Sequence, residues 1–467
     1  MVFSSIPFLY YFLPIVLILY YMAPGKMKNG VLLLASFIFY AWGEPRYIVL
    51  MIISILLGYI AGIYIDRYRG TKYAKYILFL SVAISVGFLG YFKYADFFIS
   101  NFNAATGLSV PLLKVALPIG ISFYTFQLIS YTIDVYRGSV KVQRSCLNLA
   151  TYIAMFPQLI AGPIVRYADI EASLTNRKHT FGDISYGIRR FTMGLSKKVL
   201  IANPLGELCD VFAASGEQSV LFFWMYAIAV SLQIYFDFSG YSDMAIGLGR
   251  MLGFKFMENF NYPYISKSVT EFWRRWHISL GSWFRDYIYI PLGGNRVSKG
   301  RHIFNIFVVW FLTGFWHGAA WNFIIWGLYF AVLLMLEKMF LLKYLAKIPQ
   351  VITHAYVLLI AGISFVIFDA ANMASAGACI MAMFGLGDAP LVTAETLYYL
   401  RSYASILILA IIGATPIVKQ TAEKFSQTAL GSKIVLVAEP LVVVGLFLVA
   451  TAFLVDGSFN PFLYFRF

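Results

Sequence analysis

Nine apolar stretches, each near the length of a bilayer-crossing helix, punctuate the chain at residues 6–23, 31–42, 47–65, 76–94, 115–133, 220–236, 352–368, 402–418 and 434–454. A helix needs about 20 predominantly apolar residues to cross a hydrocarbon core of about 30 Å, so each falls at or somewhat below that length, and 31–42 must borrow its flanks. Lipid supplies no water to backbone N–H and C=O groups, which confines such a chain to helices that satisfy their own backbone. Only 12% of the 467 residues are charged, against about 25% in soluble domains, and a soluble globular class is excluded. The first stretch lacks a basic n-region and a small-residue cleavage site, so it reads as a retained span and not a signal peptide.

Net charge is +14, with the basic residues in short loops between apolar runs, a pattern that argues against nucleic-acid binding. Lys26/Lys28, Arg67/Arg69/Lys72/Lys75 and Arg137/Lys141/Arg144 recur two spans apart, hence on one side. The loops between them, 43–46 and 95–114, are poor in basic residues, so the positive-inside rule puts the N-terminus outside. Cys146, Cys209 and Cys379 are far apart, form no metal-ligand spacing and give no sign of pairing; no metal is expected.

Two regions break the alternation, and a third is undecided. Residues 149–162 are apolar but flanked by basic clusters, which fits a re-entrant segment broken by Pro157, Gly162 and Pro163. Residues 189–211 carry Lys197 and Lys198 at their middle, and spanning and interfacial placements both stay open. As a single helix, residues 303–336 would run roughly 50 Å, far longer than the hydrocarbon core. With Lys299/Arg301 before it and Lys338/Lys343/Lys347 after it, the stretch reads as two half-helices meeting near Gly314 to Gly318. Repeated halves of the kind many transporters show are absent, and residues 1–467 are treated as one membrane domain.

Three constellations could carry chemistry. His317, in FLTGFWHGAAWNFIIWG, has no charged residue within fifteen positions on either side. An ionisable group in that setting marks a functional site by default, although a helix-packing histidine is the competing reading. Desolvation favours neutral imidazole, a base able to accept a proton from a hydroxyl attacking a thioester. His179, His302 and His354 adjoin basic loops and read as solvated. EFWRRWHISLGSWFRDYIYIPLGGNR, residues 271–296, packs Arg274, Arg275, His277, Arg285 and Arg296 among Trp273, Trp276 and Trp283. It suits either anionic lipid heads or a phosphorylated donor such as coenzyme A. QIYFDFSGYSD, residues 233–243, sets Asp237 and Asp243 at the end of an apolar span, where ion pairs with Arg250 or the arginines of residues 271–296 are expected.

Together with the opening SIPFLYYFLP, ASFIFYAWGEP, PIGISFYTFQLISYTIDVYRG, FPQLIAGPIVR and the closing FNPFLYFRF, these segments resemble the membrane-bound O-acyltransferases, in the branch containing the alginate O-acetyltransferase membrane subunit. The resemblance covers nearly the whole chain. It implies an all-α polytopic fold, a ring of about ten or more helices around a thinned centre with re-entrant segments. His317 matches the family's catalytic histidine, and His277 its second signature position. The implied activity passes acetyl from a cytoplasmic donor, acetyl-CoA, to an extracytoplasmic polysaccharide through an SGNH-type acetyltransferase partner, in the bacterial inner membrane. Arg274, Arg275, Trp276, Arg285 and Arg296 would bind the donor, with Arg166, Asp237, Asp243, Trp316 and Asn322 shaping the site. D-alanyl transfer from a carrier protein to teichoic acid, and a polysaccharide or ion transporter, are the alternatives.

Overall fold

The computed structural model describes residues 1–160 and 162–457. The closing FNPFLYFRF and Ala161 of FPQLIAGPIVR lie outside the described residues. Those residues form helices joined by turns and irregular links, with no strand among them. Among the described residues, seven helices are long and apolar enough to cross a membrane: Ile48–Arg67, Lys72–Thr106, Val220–Met251, Trp321–Leu345, Gln350–Asp369, Ala394–Gly413 and Ala429–Asp456. The last is only 6% buried along its apolar window, and its outward Leu436, Val437, Leu441 and Leu448 suit lipid and not water. This is a multi-pass membrane protein.

Several of the nine expected spans differ. Residues 115–133 do not form one helix: irregular backbone runs to Gly120, which has φ of +76°, and the helix is Ile121–Arg137. A Cβ on Gly120 would sit 2.7 Å from the Leu159 carbonyl oxygen, so glycine both permits the left-handed turn and admits the neighbouring backbone. Beyond residue 94, the expected loop is instead helix to Thr106, within a 35-residue helix from Lys72. The span at 220–236 likewise continues to Met251 and carries FDFSGYSD inside it.

The chain groups into two compact units. In the first, Met1–Phe191 with Ser242–Met257, the Ile121–Arg137 helix is the core element, packed on Ile48–Arg67 and Lys72–Leu89. Gly58 and Gly62 allow this, since a Cβ at either would lie 2.5 Å from Leu128 or 2.9 Å from Tyr131. Residues 149–160 fold as two short helices, Cys146–Ala154 and Phe156–Leu159, broken at Met155 and buried. In the second unit, Thr192–Tyr241 with Glu258–Phe467, the core gathers aromatic rings around Trp276, Trp326, Phe330 and Phe368. Residues 189–211 belong to continuous helix from Phe181 to Ala214, widened to a π-turn at Lys197–Ala202.

Candidate active site

The 303–336 stretch is an antiparallel hairpin of Lys299–His317 and Trp321–Leu336. Its helices touch at glycines: a Cβ on Gly314 would lie 2.3 Å from the Phe323 carbonyl oxygen, and one on Gly327 2.3 Å from that of Trp310. Gly318 turns to extended backbone and ends the first helix at His317. The imidazole stays 8% exposed. The rings of Trp316, Trp326 and Phe368 stand edge-on around it, at 5.0, 5.1 and 5.3 Å between centroids. Asn322, at the start of the second helix, donates to the Phe368 and Ala370 carbonyls at 3.3 and 3.1 Å. It thereby ties the end of Gln350–Asp369, which carries Phe368, to the hairpin beside His317.

His277 occupies the link between two seven-residue helices, Val269–Arg275 and Ile278–Phe284, with φ of +44° and ψ of +53°. A non-glycine residue in that region costs about 1–2 kcal/mol, so the surroundings must impose it. Asn259 does so: its carbonyl accepts from Ile278 N–H at 3.0 Å, and its Oδ1 accepts from Ser279 N–H at 3.2 Å and Ser279 Oγ at 2.8 Å. Oδ1 also meets His277 Nδ1 at 3.1 Å. An atom that accepts from a backbone N–H is the amide oxygen, so Nδ1 must be the protonated ring nitrogen and Nε2 carries the lone pair. Nε2 is buried with no hydrogen-bond partner among the described residues. Burial holds the imidazole far below 6.5, at about 3, hence neutral. Phe238 abuts the ring at 4.7 Å and Trp316 at 6.2 Å, so Trp316 neighbours both histidines.

A cavity of about 490 Å³ opens onto His277, walled by Thr270, Trp273, Arg274, Arg285, Trp310 and Lys338. That volume lies in the range of small-molecule sites, and three cations with two indoles suit an anionic ligand with a flat ring. His317 does not line it. Of the expected donor residues, Arg274 and Arg285 border the cavity. Arg275 instead bonds Glu271 at 2.9 Å and the Asn261 carbonyl at 3.1 Å. Trp276 is buried against Phe260, Phe272 and Phe365, and Arg296 is exposed on the 293–296 turn. Lys338 and Trp310 were not foreseen. The only signal for Lys338 is a charged pair, Glu337–Lys338, ending an otherwise apolar run.

The aspartates find other cations than expected. Asp237 pairs with Lys198 at 2.5 Å, both nearly inaccessible, in the second unit. Asp243 pairs with Arg190 at 2.7 Å in the first, while Arg250 goes to Asp183 at 2.8 Å. Lys198 and Arg190 lie within residues 189–211, whose placement the sequence left open. Arg166 precedes the Tyr167–Thr175 helix in the first unit, its N–H donating to Asp169. His179, His302 and His354, expected to be solvated, are half-buried against Tyr20, Tyr289 and the Ser266 carbonyl.

The family model described as MBOAT, membrane-bound O-acyltransferase family, matches residues 140–350, which include both histidines and the whole cavity lining. A probable alginate O-acetylase AlgI of Pseudomonas syringae pv. tomato is 46% identical over 393 residues, 83% of this chain and 76% of that protein. One from Pseudomonas putida is 41% identical over 485 aligned positions, covering 100% of both. A peptidoglycan O-acetyltransferase of Helicobacter pylori is 34% identical over 84% of this chain and 81% of its own.

Proposed function

Since the chain belongs to the membrane-bound O-acyltransferase family, we propose that this O-acyltransferase takes acetyl from acetyl-CoA at the cytoplasmic face and passes it across the inner membrane for O-acetylation of an extracytoplasmic polysaccharide. The observation that carries the donor half is the cavity on His277, with Arg274, Arg285 and Lys338 around it. Those cations take phosphates, and Trp273 and Trp310 offer faces to the adenine or the pantetheine arm. The acetyl half rests on the names of the relatives, alginate O-acetylase and peptidoglycan O-acetyltransferase. An exopolysaccharide acceptor and a secreted or anchored SGNH-type acetyltransferase complete the reading, with the N-terminus outward.

His317 serves as general base in this scheme. Its imidazole takes the proton of the acceptor hydroxyl as the oxygen attacks the thioester carbonyl. The C–O bond forms, the C–S bond breaks, and the imidazolium returns the proton to the departing thiolate. A positioned base of this kind contributes typically 10²–10⁴-fold. His277, held neutral with Nε2 as acceptor, orients the donor at the cavity end, and Trp316 lies against both rings.

The deciding experiment measures glycan O-acetylation in cells carrying His317→Ala, with membrane abundance followed in parallel. Loss of acetylation at normal abundance is expected; retained acetylation overturns the assignment. Purified protein given labelled acetyl-CoA or a D-alanyl-charged carrier separates the acetyl from the D-alanyl reading. Lost substrate flux with intact acetyl transfer would instead favour a transporter.

A further inference from the structure

The Val269–Arg275 helix starts with backbone N–H groups that have no acceptor within the helix. Ser268 provides two local acceptors, Oγ for Glu271 N–H at 3.0 Å and its carbonyl for Phe272 N–H at 2.9 Å. The N–H groups of Val269 and Thr270 go to Glu337, each at 2.7 Å. Thr270 Oγ1 donates to the same carboxylate at 2.7 Å, and so does the Tyr356 hydroxyl at 3.2 Å. Glu337 is 0% exposed. A carboxylate so buried is unfavourable unless its lone pairs are filled, and four donors fill them here.

Capping ordinarily comes from the residue preceding a helix; this cap comes from 67 and 68 residues downstream, at the end of the hairpin that holds His317. Arg274 lies one turn after Thr270 on the same helix face, and Lys338 follows Glu337 directly, and both cations line the cavity. One carboxylate therefore anchors the two chain segments that supply them.

We propose that Glu337 is a positioning residue for the acyl donor: by clamping the start of the Val269–Arg275 helix to the hairpin, it sets the separation of Arg274 and Lys338 and the placement of the His277 link. The inference rests on the donor reading above for what fills the cavity, and on geometry alone for the clamp.

The test uses the detergent-purified full chain with acetyl-CoA, comparing Glu337→Gln and Glu337→Asp with wild type. Glutamine keeps the shape but turns an NH2 group toward the N–H donors; aspartate keeps the charge on a shorter stem. Two readouts are taken: KM and kcat, and backbone hydrogen exchange across residues 266–276. Glu337→Gln should raise KM for acetyl-CoA about tenfold, the scale of losing charged hydrogen bonds, with kcat changed far less and exchange faster at 269–270. Glu337→Asp should recover part of both. Unchanged KM, a fall in kcat alone, or unchanged exchange overturns the proposal, as does failure of both variants to fold, which would make Glu337 a folding residue. Absence of acetyl-CoA turnover in the wild type overturns the donor reading instead, and the exchange contrast still decides the clamp.

Discussion

Asn259 Oδ1 lies 3.1 Å from His277 Nδ1 while it accepts from the Ser279 backbone N–H at 3.2 Å. The second contact identifies the amide oxygen and, through it, the tautomer of the ring. Asn259→Leu removes the acceptor and leaves both the Ser279 N–H and the imidazole free to reorient. Losing a buried partner of this kind costs about 1–3 kcal/mol, so acetyl transfer should fall roughly 10–100-fold, most of it at low acetyl-CoA. Asn259→Asp keeps an acceptor and should retain more activity. Steady-state kinetics of the purified variants check both.

The hairpin apex depends on two hydrogens. With backbone oxygens 2.3 Å from the Cβ positions of Gly314 and Gly327, Gly314→Ala or Gly327→Ala must push the two helices apart. Overpacking in a core costs about 1–3 kcal/mol, and displacement at this point moves His317 as well. Both variants should lower the melting temperature and the activity together. Gly362→Ala, with nothing within 4 Å of its Cβ, should leave the melting temperature unchanged.

Lys198 and Asp237 form an ion pair at 2.5 Å with side chains 3% and 4% exposed. Removing one partner of a buried pair costs about 3–5 kcal/mol, whereas replacing both by apolar residues costs far less. Lys198→Met should therefore reduce membrane abundance sharply, and Lys198→Met with Asp237→Leu should recover much of it. Quantitative immunoblotting of membranes measures the difference.

Burial holds His277 at about 3 against 6.5 when unfolded, so between those values the unfolded chain binds the proton that the folded chain does not. Stability from this residue is complete above pH 6.5 and declines as pH falls toward 3. Half-buried His179, depressed first by burial and then by Lys28 and Arg177, acts with the same sign. Melting temperatures should drop between pH 6.5 and 5, and the slope should be shallower in His277→Asn.

Much of this was legible before any fold was known. The helix pair at 299–336 followed from arithmetic: the apolar run is too long for one crossing, has cations at both ends and has glycines in its middle. Arg274 and Arg285 stood out as guanidinium groups among indoles, and both border the cavity. Where reading along the chain failed, the reason was a contact across it. The helix expected at 115–133 begins only at Ile121 because Gly120 must admit the Leu159 carbonyl. The partners of Asp237 and Asp243 lie 39 and 53 positions away, and nothing in the local pattern selects Lys198 over Arg250.

The sequence alone determined that this chain lives in lipid, that its elements are helices, and that an imidazole stands far from any charge at residue 317. These follow from composition and spacing, because bilayer thickness and helix rise act on every segment independently. Only the tertiary structure decided that Lys338 joins Arg274 at one cavity, that Glu337 caps a helix begun 68 residues earlier, and that Asn259 selects the tautomer of His277. Hydrogen bonds and ion pairs act over about 3 Å, and which groups come within that reach is a property of the packed chain.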